Sequence, residues 1–284
     1  MSLPTFVRGY DLHTHSAISD GTTTPAEIAA AVAELGLTGF ALTDHDTVDG
    51  WDEARTAAAG LGVDFIPGLE LTTKTNGFSV HLLAYGIDPE EPELRAIMAR
   101  IRESRYGRAR EMVRRLSARY PLDWDTLSAS IGVGVTLGRP HIADALVQLG
   151  HYPDRGAAFE DVLHPGGPYY VNTYAVETVT GIELVRAAGG VPVLAHPAAR
   201  RQRGPVPVQI IEEFARAGLW GIELDHPENR EDWTAPLRPH AERLGLEVTG
   251  ASDFHGTGKD NRLGERTSAP ELIERLRAQV ATPR

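Results

Sequence analysis

Seven apolar, strand-like runs recur along this chain, near residues 10–15, 39–43, 63–67, 79–85, 191–195, 221–225 and 246–250, and six of them run straight into His, Asp or Glu. The remaining run carries His81 within it. Helical stretches separate most of these runs, and strand alternating with helix predicts parallel α/β units. In a βα barrel the C-terminal strand ends converge on one mouth, where chemistry resides. The pattern therefore gathers His13, His15, Asp20, His45, Glu70, His81, His196, Asp253 and His255 in one place. A core cannot enclose so many ionisable groups unanswered, because each desolvated charge costs several kcal/mol. Bound metal ions are the economical answer.

The first of these runs ends in Asp11-Leu12-His13-Thr14-His15. Side chains alternate across a strand, so Asp11, His13 and His15 are expected on one face. The next segment opens a helix at Thr24-Pro25-Ala26-Glu27, with a capping box and Pro at the first helical position, and Gly36 ends it. Alternation weakens between Asp88 and Tyr170, where Pro92 to Arg119, Trp124 to Ser130 and Ile142 to Leu149 read as helices without a strand between them. Residues 88–170 are therefore expected to be a helical insertion, leaving 1–87 and 171–284 as a discontinuous α/β domain.

Composition narrows the chemistry. The 284 residues contain no cysteine, which excludes disulfides, thiolate ligands and cysteine nucleophiles. The imidazole and carboxylate set that remains suits Mn, Fe or Zn. A formal net charge of −11 argues against non-specific binding to a phosphate backbone, so no stable nucleic-acid partner is expected. No run of about 18 apolar residues is present, so no membrane span is expected. The N-terminus lacks a basic-then-apolar leader, which points to the cytoplasm.

The motifs Asp11-Leu12-His13-Thr14-His15, Thr43-Asp44-His45-Asp46, Pro67-Gly68-Leu69-Glu70, Ala195-His196-Pro197 and Ser252-Asp253-Phe254-His255 resemble, in order and spacing, those of the PHP (polymerase and histidinol phosphatase) phosphoesterases. The resemblance implies a distorted (β/α)7 barrel holding divalent ions, three in number by its filled ligand set, with Mn the first expectation. One ion would take His13, His15, Glu70 and Asp253. A second would share Glu70 and take His81 and His196. A third would take Asp20, His45 and His255. Asp11 is expected beside this set, orienting a ligand histidine through a hydrogen bond.

Gly138-Arg139-Pro140-His141-Ile142-Ala143 and Pro168-Tyr169-Tyr170-Val171 further resemble the insertion of PHP enzymes acting on nucleoside 3′,5′-bisphosphates and RNA 5′ ends. Gly167 stands where such relatives carry Lys, and Ala198-Ala199-Arg200-Arg201 where they carry a Gly-Arg-Tyr run. The implied activity is hydrolysis of a phosphomonoester of a small nucleotide by attack of metal-bound hydroxide. A phosphodiesterase acting on cyclic phosphates or RNA ends is the alternative. A non-catalytic, metal-stabilised regulatory module is another, although no ligand position is lost. Ligand types alone also admit an amidohydrolase, which the motif order opposes.

Phosphoryl charge calls for planar cationic forks, and Arg139 and Arg200 are the candidates. His226, in Asp225-His226-Pro227, is a candidate to bind phosphate or protonate the leaving oxygen, with Asp253 also placed at the reacting centre. His141 either caps its helix or faces the substrate, while His151, His164 and His240 read as loop or surface residues. Nine arginines between Arg95 and Arg119 read first as a solvated helix face. Arg105, Arg108 or Arg110 would turn toward a second phosphate if the insertion caps the mouth.

Overall fold

A computed structural model describes residues 9–132, 134–202 and 204–280. Seven strands run in one direction: β1 (Tyr10–Thr14), β2 (Gly39–Leu42), β3 (Asp64–Thr75), the short β5 (Val176–Glu177), β6 (Val191–Leu194), β7 (Gly221–Asp225) and β8 (Glu247–Gly250). Between β3 and β6 lies β4 (Phe78–Tyr85), antiparallel to both, giving the order β1-β2-β3-β4-β6-β7-β8 with β5 paired to β3. The segment after β8 closes the barrel onto β1. There Phe254 N–H donates to the His13 carbonyl and His15 N–H to the Phe254 carbonyl.

The antiparallel β4 corrects the expectation of uniformly parallel units. Asn76 and Gly77 both have positive φ, 45° and 80°, and join β3 to β4 as a tight hairpin. An Asn-Gly pair favours that turn because both residues tolerate the left-handed region. The reversal also explains why His81 lies inside its strand. The start of β4 reaches the mouth where the other strands end, and His81 pairs with Thr72, two residues beyond Glu70.

Around the strands pack α1 (Pro25–Leu35), α2 (Trp51–Leu61), α7 (Thr178–Ala187), α8 (Val208–Arg216), α9 (Glu231–Arg243) and α10 (Pro270–Gln279). The expected cap of α1 is present: Thr24 Oγ1 accepts from Glu27 N–H, Glu27 Oε2 accepts from Thr24 N–H, and Gly36 closes the helix at φ 71°. The strands are apolar on both faces. Phe40, Leu42, Leu82 and Ile222 meet the surrounding helices, while Leu12, Ala41, Leu83 and Val193 form a second cluster closed by Leu272, Ile273 and Leu276 of α10. Burial on both faces is what near-continuous apolar strands encode.

The segment after β4 contains α3 (Pro92–Leu116), α4 (Trp124–Ser130), α5 (Arg139–Gln148), α6 (Arg155–Ala158) and a π-helical turn at Phe159–Leu163. Its apolar residues from Ala109 to Leu163 form a third cluster of their own. The first half of α3 belongs instead to the barrel core, through Leu94, Met98 and Ile101. Polar contacts tie the segment to the loops after β1 and β2. Arg155 Nη1 donates to the Asp20 carbonyl, Arg102 Nη1 to the Asp46 carbonyl and Thr136 N–H to the Ile18 carbonyl. Residues adjoining Asp20 and His45 thus carry the helical segment. Among the described residues no helix is long and apolar enough to cross a membrane.

Candidate metal centre

Glu70 lies where β3 passes the ends of β1 and β2, its N–H donating to the Thr43 carbonyl and its carbonyl accepting from Asp46 N–H. Five imidazoles converge on its buried carboxylate. Oε2 lies 3.3 Å from His13 Nε2, 3.1 Å from His15 Nε2 and 3.1 Å from His45 Nδ1. Oε1 lies 2.8 Å from His81 Nδ1 and 3.0 Å from His196 Nε2. Asp253 Oδ1 approaches the first pair as well, 3.5 Å from His13 Nε2 and 3.4 Å from His15 Nε2. Asp20 completes the ring, 3.2 Å from His255 Nε2 and 3.8 Å from His45 Nε2. All nine predicted residues are brought together, and His15 also comes within reach of the Asp20, His45 and His255 group.

These donors fit divalent cations. His13 Nε2 and His15 Nε2 are 3.0 Å apart. Their distances to Glu70 Oε2 and Asp253 Oδ1, 3.1–3.5 Å, are close to the roughly 3.3 Å separating ligands 2.0–2.1 Å from a tetrahedral ion. Tautomers are set accordingly. His13 Nδ1 donates to Glu223 Oε1 at 3.1 Å and His255 Nδ1 to the Asp253 carbonyl at 2.8 Å, which leaves each Nε2 lone pair facing the centre. His45 Nδ1 is buried and makes no hydrogen bond although Glu70 Oε2 is close. A cation between that ring nitrogen and the carboxylate oxygen would satisfy both.

The charge states favour the same occupant. Against burial, the neighbouring imidazoles hold Asp20 and Glu70 well below the usual carboxylate range, and Lys259 with His13 and His255 does so for Asp253. Burial holds His45 well below the ordinary imidazole value; burial and Arg201 bring His196 down to about 4, and burial and Lys259 lower His255. His13 and His15 go the other way. Burial opposes their charging, but the carboxylates of Glu223, Asp253 and Glu70 raise His13 well above normal, and Asp253 and Glu70 raise His15 to about 9. A bound cation has to displace those two protons.

Backbone strain is concentrated here. Asp46, His196 and Asp253 have φ of 55°, 28° and 56°. Non-glycine residues in this region cost about 1–3 kcal/mol each and persist where surrounding structure over-determines them.

Several predicted roles change. Asp11 does not orient an imidazole: Oδ1 accepts from His13 and Ser252 N–H, and Oδ2 from Gly264 N–H. A register shift between Asp11 and Thr14 breaks the strand's alternation and turns this carboxylate to the barrel seam. Burial raises its pKa to about 6 despite the hydrogen bonds from Ser252, Gly264 and His13. His13 is oriented by Glu223, whose Oε2 also accepts from His196 N–H at 2.9 Å. His226 is enclosed, its side chain having no exposed surface. Its Nδ1 accepts from Glu228 N–H, and its Nε2 lies 3.5 Å from Asp253 Oδ2.

Arg200 turns outward and donates to the Pro227 carbonyl. Arg201 is the arginine that reaches inward, pairing with Glu228 and lying 3.3 Å from His196 Nε2. Lys259, unremarkable in sequence, donates to Asp253 Oδ2 at 2.6 Å and stands 3.6 Å from Glu228 Oε1. Against burial, Lys259 and Arg201 hold Glu228 down at about 2. His141 caps α5, its Nδ1 accepting from Gly138 N–H. Arg110 faces the outer cleft between α3 and α4, whereas Arg105 and Arg108 are buried beside the mouth. Arg139 is half-buried, bonded to the Leu163 carbonyl and stacked over Phe159 and Tyr170. The one sequence signal for Glu223 was an acidic residue inside an otherwise apolar strand. Arg201 and Lys259 sit on loops without periodicity, where no signal distinguishes inward from outward side chains.

The family model of the PHP domain matches residues 11–146. A 3′,5′-nucleoside bisphosphate phosphatase of Chromobacterium violaceum is 34% identical over 279 residues, covering 96% of this chain and 98% of its own. A 5′-3′ exoribonuclease of Haemophilus influenzae is 33% identical over 87% of this chain and 89% of its own. Among solved structures, one described as a metal-dependent phosphoesterase from Bifidobacterium adolescentis superposes with a TM-score of 0.94 at 38% identity, covering 97% of this chain and 98% of that one. The chain belongs to the PHP family of metal-dependent phosphoesterases.

Proposed function

We propose that this enzyme hydrolyses a phosphomonoester of a small nucleotide, of the nucleoside 3′,5′-bisphosphate type, at a centre of three divalent ions, Mn first among the metals. The observation that carries the reading is Glu70, one buried carboxylate contacted by five imidazoles. His13, His15, Glu70 and Asp253 would hold one ion, Glu70, His81 and His196 a second, and Asp20, His45 and His255 a third. Such ions, when bound, supply Lewis acidity and a water made acidic enough to react at neutral pH.

The protein's own groups do the rest. Glu223 fixes the His13 tautomer, and His226 supports Asp253 from behind rather than meeting the leaving group. Arg201 and Lys259, on the side of His196 and Asp253, supply positive charge to the reacting phosphoryl oxygens. Residues 88–170 cap the mouth and select the substrate. Relatedness to an exoribonuclease favours a second reading, hydrolysis of phosphodiesters at RNA 5′ ends.

The test is phosphate release from metal-supplemented protein across nucleoside mono- and bisphosphates, beside p-nitrophenyl phosphate and its bis ester. Release from the monoesters is expected. Faster cleavage of the bis ester and of RNA would favour the second reading, and no turnover of either class would defeat both.

A further inference from the structure

The candidate ligands differ in what holds their backbone. His13, Glu70 and His81 stand within strands, whereas Asp20, His45 and His255 lie on the loops after β1, β2 and β8. A side chain on a strand is placed more precisely than one on a loop, so loop ligands need contacts of their own. His45 has one in its bridge to Glu70 on β3. The other two loops are joined to each other. Thr22 N–H donates to the His255 carbonyl at 3.1 Å, and Thr257 N–H to Thr22 Oγ1 at 2.8 Å.

Arg155, the first residue of α6, reaches both of these loops from the helical segment. Its Nε and Nη2 donate to the two oxygens of Asp144 on α5, at 2.5 and 2.7 Å. A guanidinium is planar, so two bonds to one carboxylate fix the direction of its remaining N–H groups. The Nη1 held in this way donates to the Asp20 carbonyl at 3.1 Å. The same guanidinium lies flat against Gly258, whose N–H donates to the His255 carbonyl. A Cβ on Gly258 would overlap Nη1 and come 2.8 Å from Cζ. One side chain therefore bears on the turns that carry Asp20 and His255, whose Oδ1 and Nε2 lie 3.2 Å apart. An arginine that only fastened the helical segment to the barrel needs neither the carbonyl of a ligand nor the turn of a second one. A further bond, Thr136 N–H to the Ile18 carbonyl, supports the same loop from the same segment.

We infer that Arg155, held by Asp144, is a positioning residue for the ion assigned to Asp20, His45 and His255. The helical segment then assembles part of the metal centre as well as covering its mouth. The inference rests on the three-ion reading above and adds what sets the geometry of one of the three. Groups that orient metal ligands typically matter by about 10–100-fold in metal affinity.

The test titrates chelated, full-length protein with Mn by calorimetry. Asp20→Asn identifies the binding step that belongs to this ion. Arg155→Ala is expected to weaken that step by about 10–100-fold and to leave the other steps unchanged. Asp144→Asn, which releases the fork, should weaken the same step by less. Gly258→Ala should reproduce the loss, because its Cβ displaces the guanidinium, and should add little in the Arg155→Ala background. Full additivity of the two would mean that they act separately, and would overturn the claim that one guanidinium serves both turns.

An Asp20-sensitive step that survives Arg155→Ala unchanged would overturn the inference while the three-ion reading stands. Equal weakening of every step, with a lower unfolding temperature of the chelated protein, would make Arg155 merely structural and overturn it too. Should Arg155→Ala not fold, Arg155→Lys decides: one ammonium does not serve Asp144 and the Asp20 carbonyl as a fork does, so a wild-type step in that variant refutes the inference. A wild type without any step sensitive to Asp20→Asn removes the third ion, and this inference with it. A wild type that titrates as stated but releases no phosphate leaves the inference standing and removes only the proposed reaction.

Discussion

Two clusters of buried charge meet at the mouth of this barrel, and they are balanced in opposite ways. Around Glu70 the orienting groups Glu223 and the Asp253 carbonyl accept from His13 Nδ1 and His255 Nδ1, which leaves the Nε2 lone pairs converging inward. Around Arg108 the charge has no answer within the protein. The first cluster stands on strands and on the loops that follow them. The second stands on the helices α3 and α5.

Substitutions should separate the two. Glu70→Ala removes the carboxylate shared by five imidazoles and should cost more than any other single change, well beyond the roughly 10–100-fold typical of a group that only orients a ligand. Activity should be lost together with tightly held metal, read by elemental analysis; retained metal would break the comparison at its first term. Glu223→Gln is the orienting case. It should weaken metal affinity or activity by about 10–100-fold with the fold intact, because His13 keeps its place but loses the acceptor that fixes its tautomer.

Asp11→Ala tests the seam rather than either cluster. Three backbone N–H groups lose their acceptor, at about 1–3 kcal/mol for each left buried and unsatisfied. The unfolding midpoint in denaturant should fall, while the loaded enzyme binds its usual metal. Loss of metal without loss of stability would restore Asp11 as a partner of the ligands.

The smallest effect is one of pH. The His15 pKa is raised to about 9 in the folded, metal-free protein, above the ordinary imidazole value near 6.5. Its contribution to stability is therefore complete below about pH 6.5 and lost as pH rises through about 9. Metal binding replaces that proton and removes the dependence. The gap in unfolding temperature between metal-loaded and chelated protein should widen from pH 6.5 to 9, measured by calorimetry in parallel. A constant gap would mean that His15 carries no proton for the metal to displace.

The convergence of the nine His, Asp and Glu residues was legible in the sequence because most of them lie just past the C-terminal end of a strand, and in a barrel those ends meet. The antiparallel β4 was legible too, in Asn76-Gly77, but a rhythm of strand and helix on either side suggests parallel pairing unless the turn is weighed. Asp11 was misplaced because alternation assumes a regular strand, and the register shift after it has no signature in residue type. Arg200 and Arg201 show the same limit in a loop: one position separates a side chain facing the solvent-side Pro227 carbonyl from one that reaches His196. In α3, helical spacing places Arg105 and Arg108 on one face and Arg110 on another. Only packing against Asp46 and α5 reveals which face is buried.

Metal stoichiometry tests the central claim most directly. Purified protein from Mn-supplemented expression, analysed for total metal per chain beside Glu70→Ala, is expected to hold about three ions, most of them lost in the variant. Fewer than two tightly held ions in the wild type, or the same content in both proteins, would contradict a catalytic centre organised around Glu70.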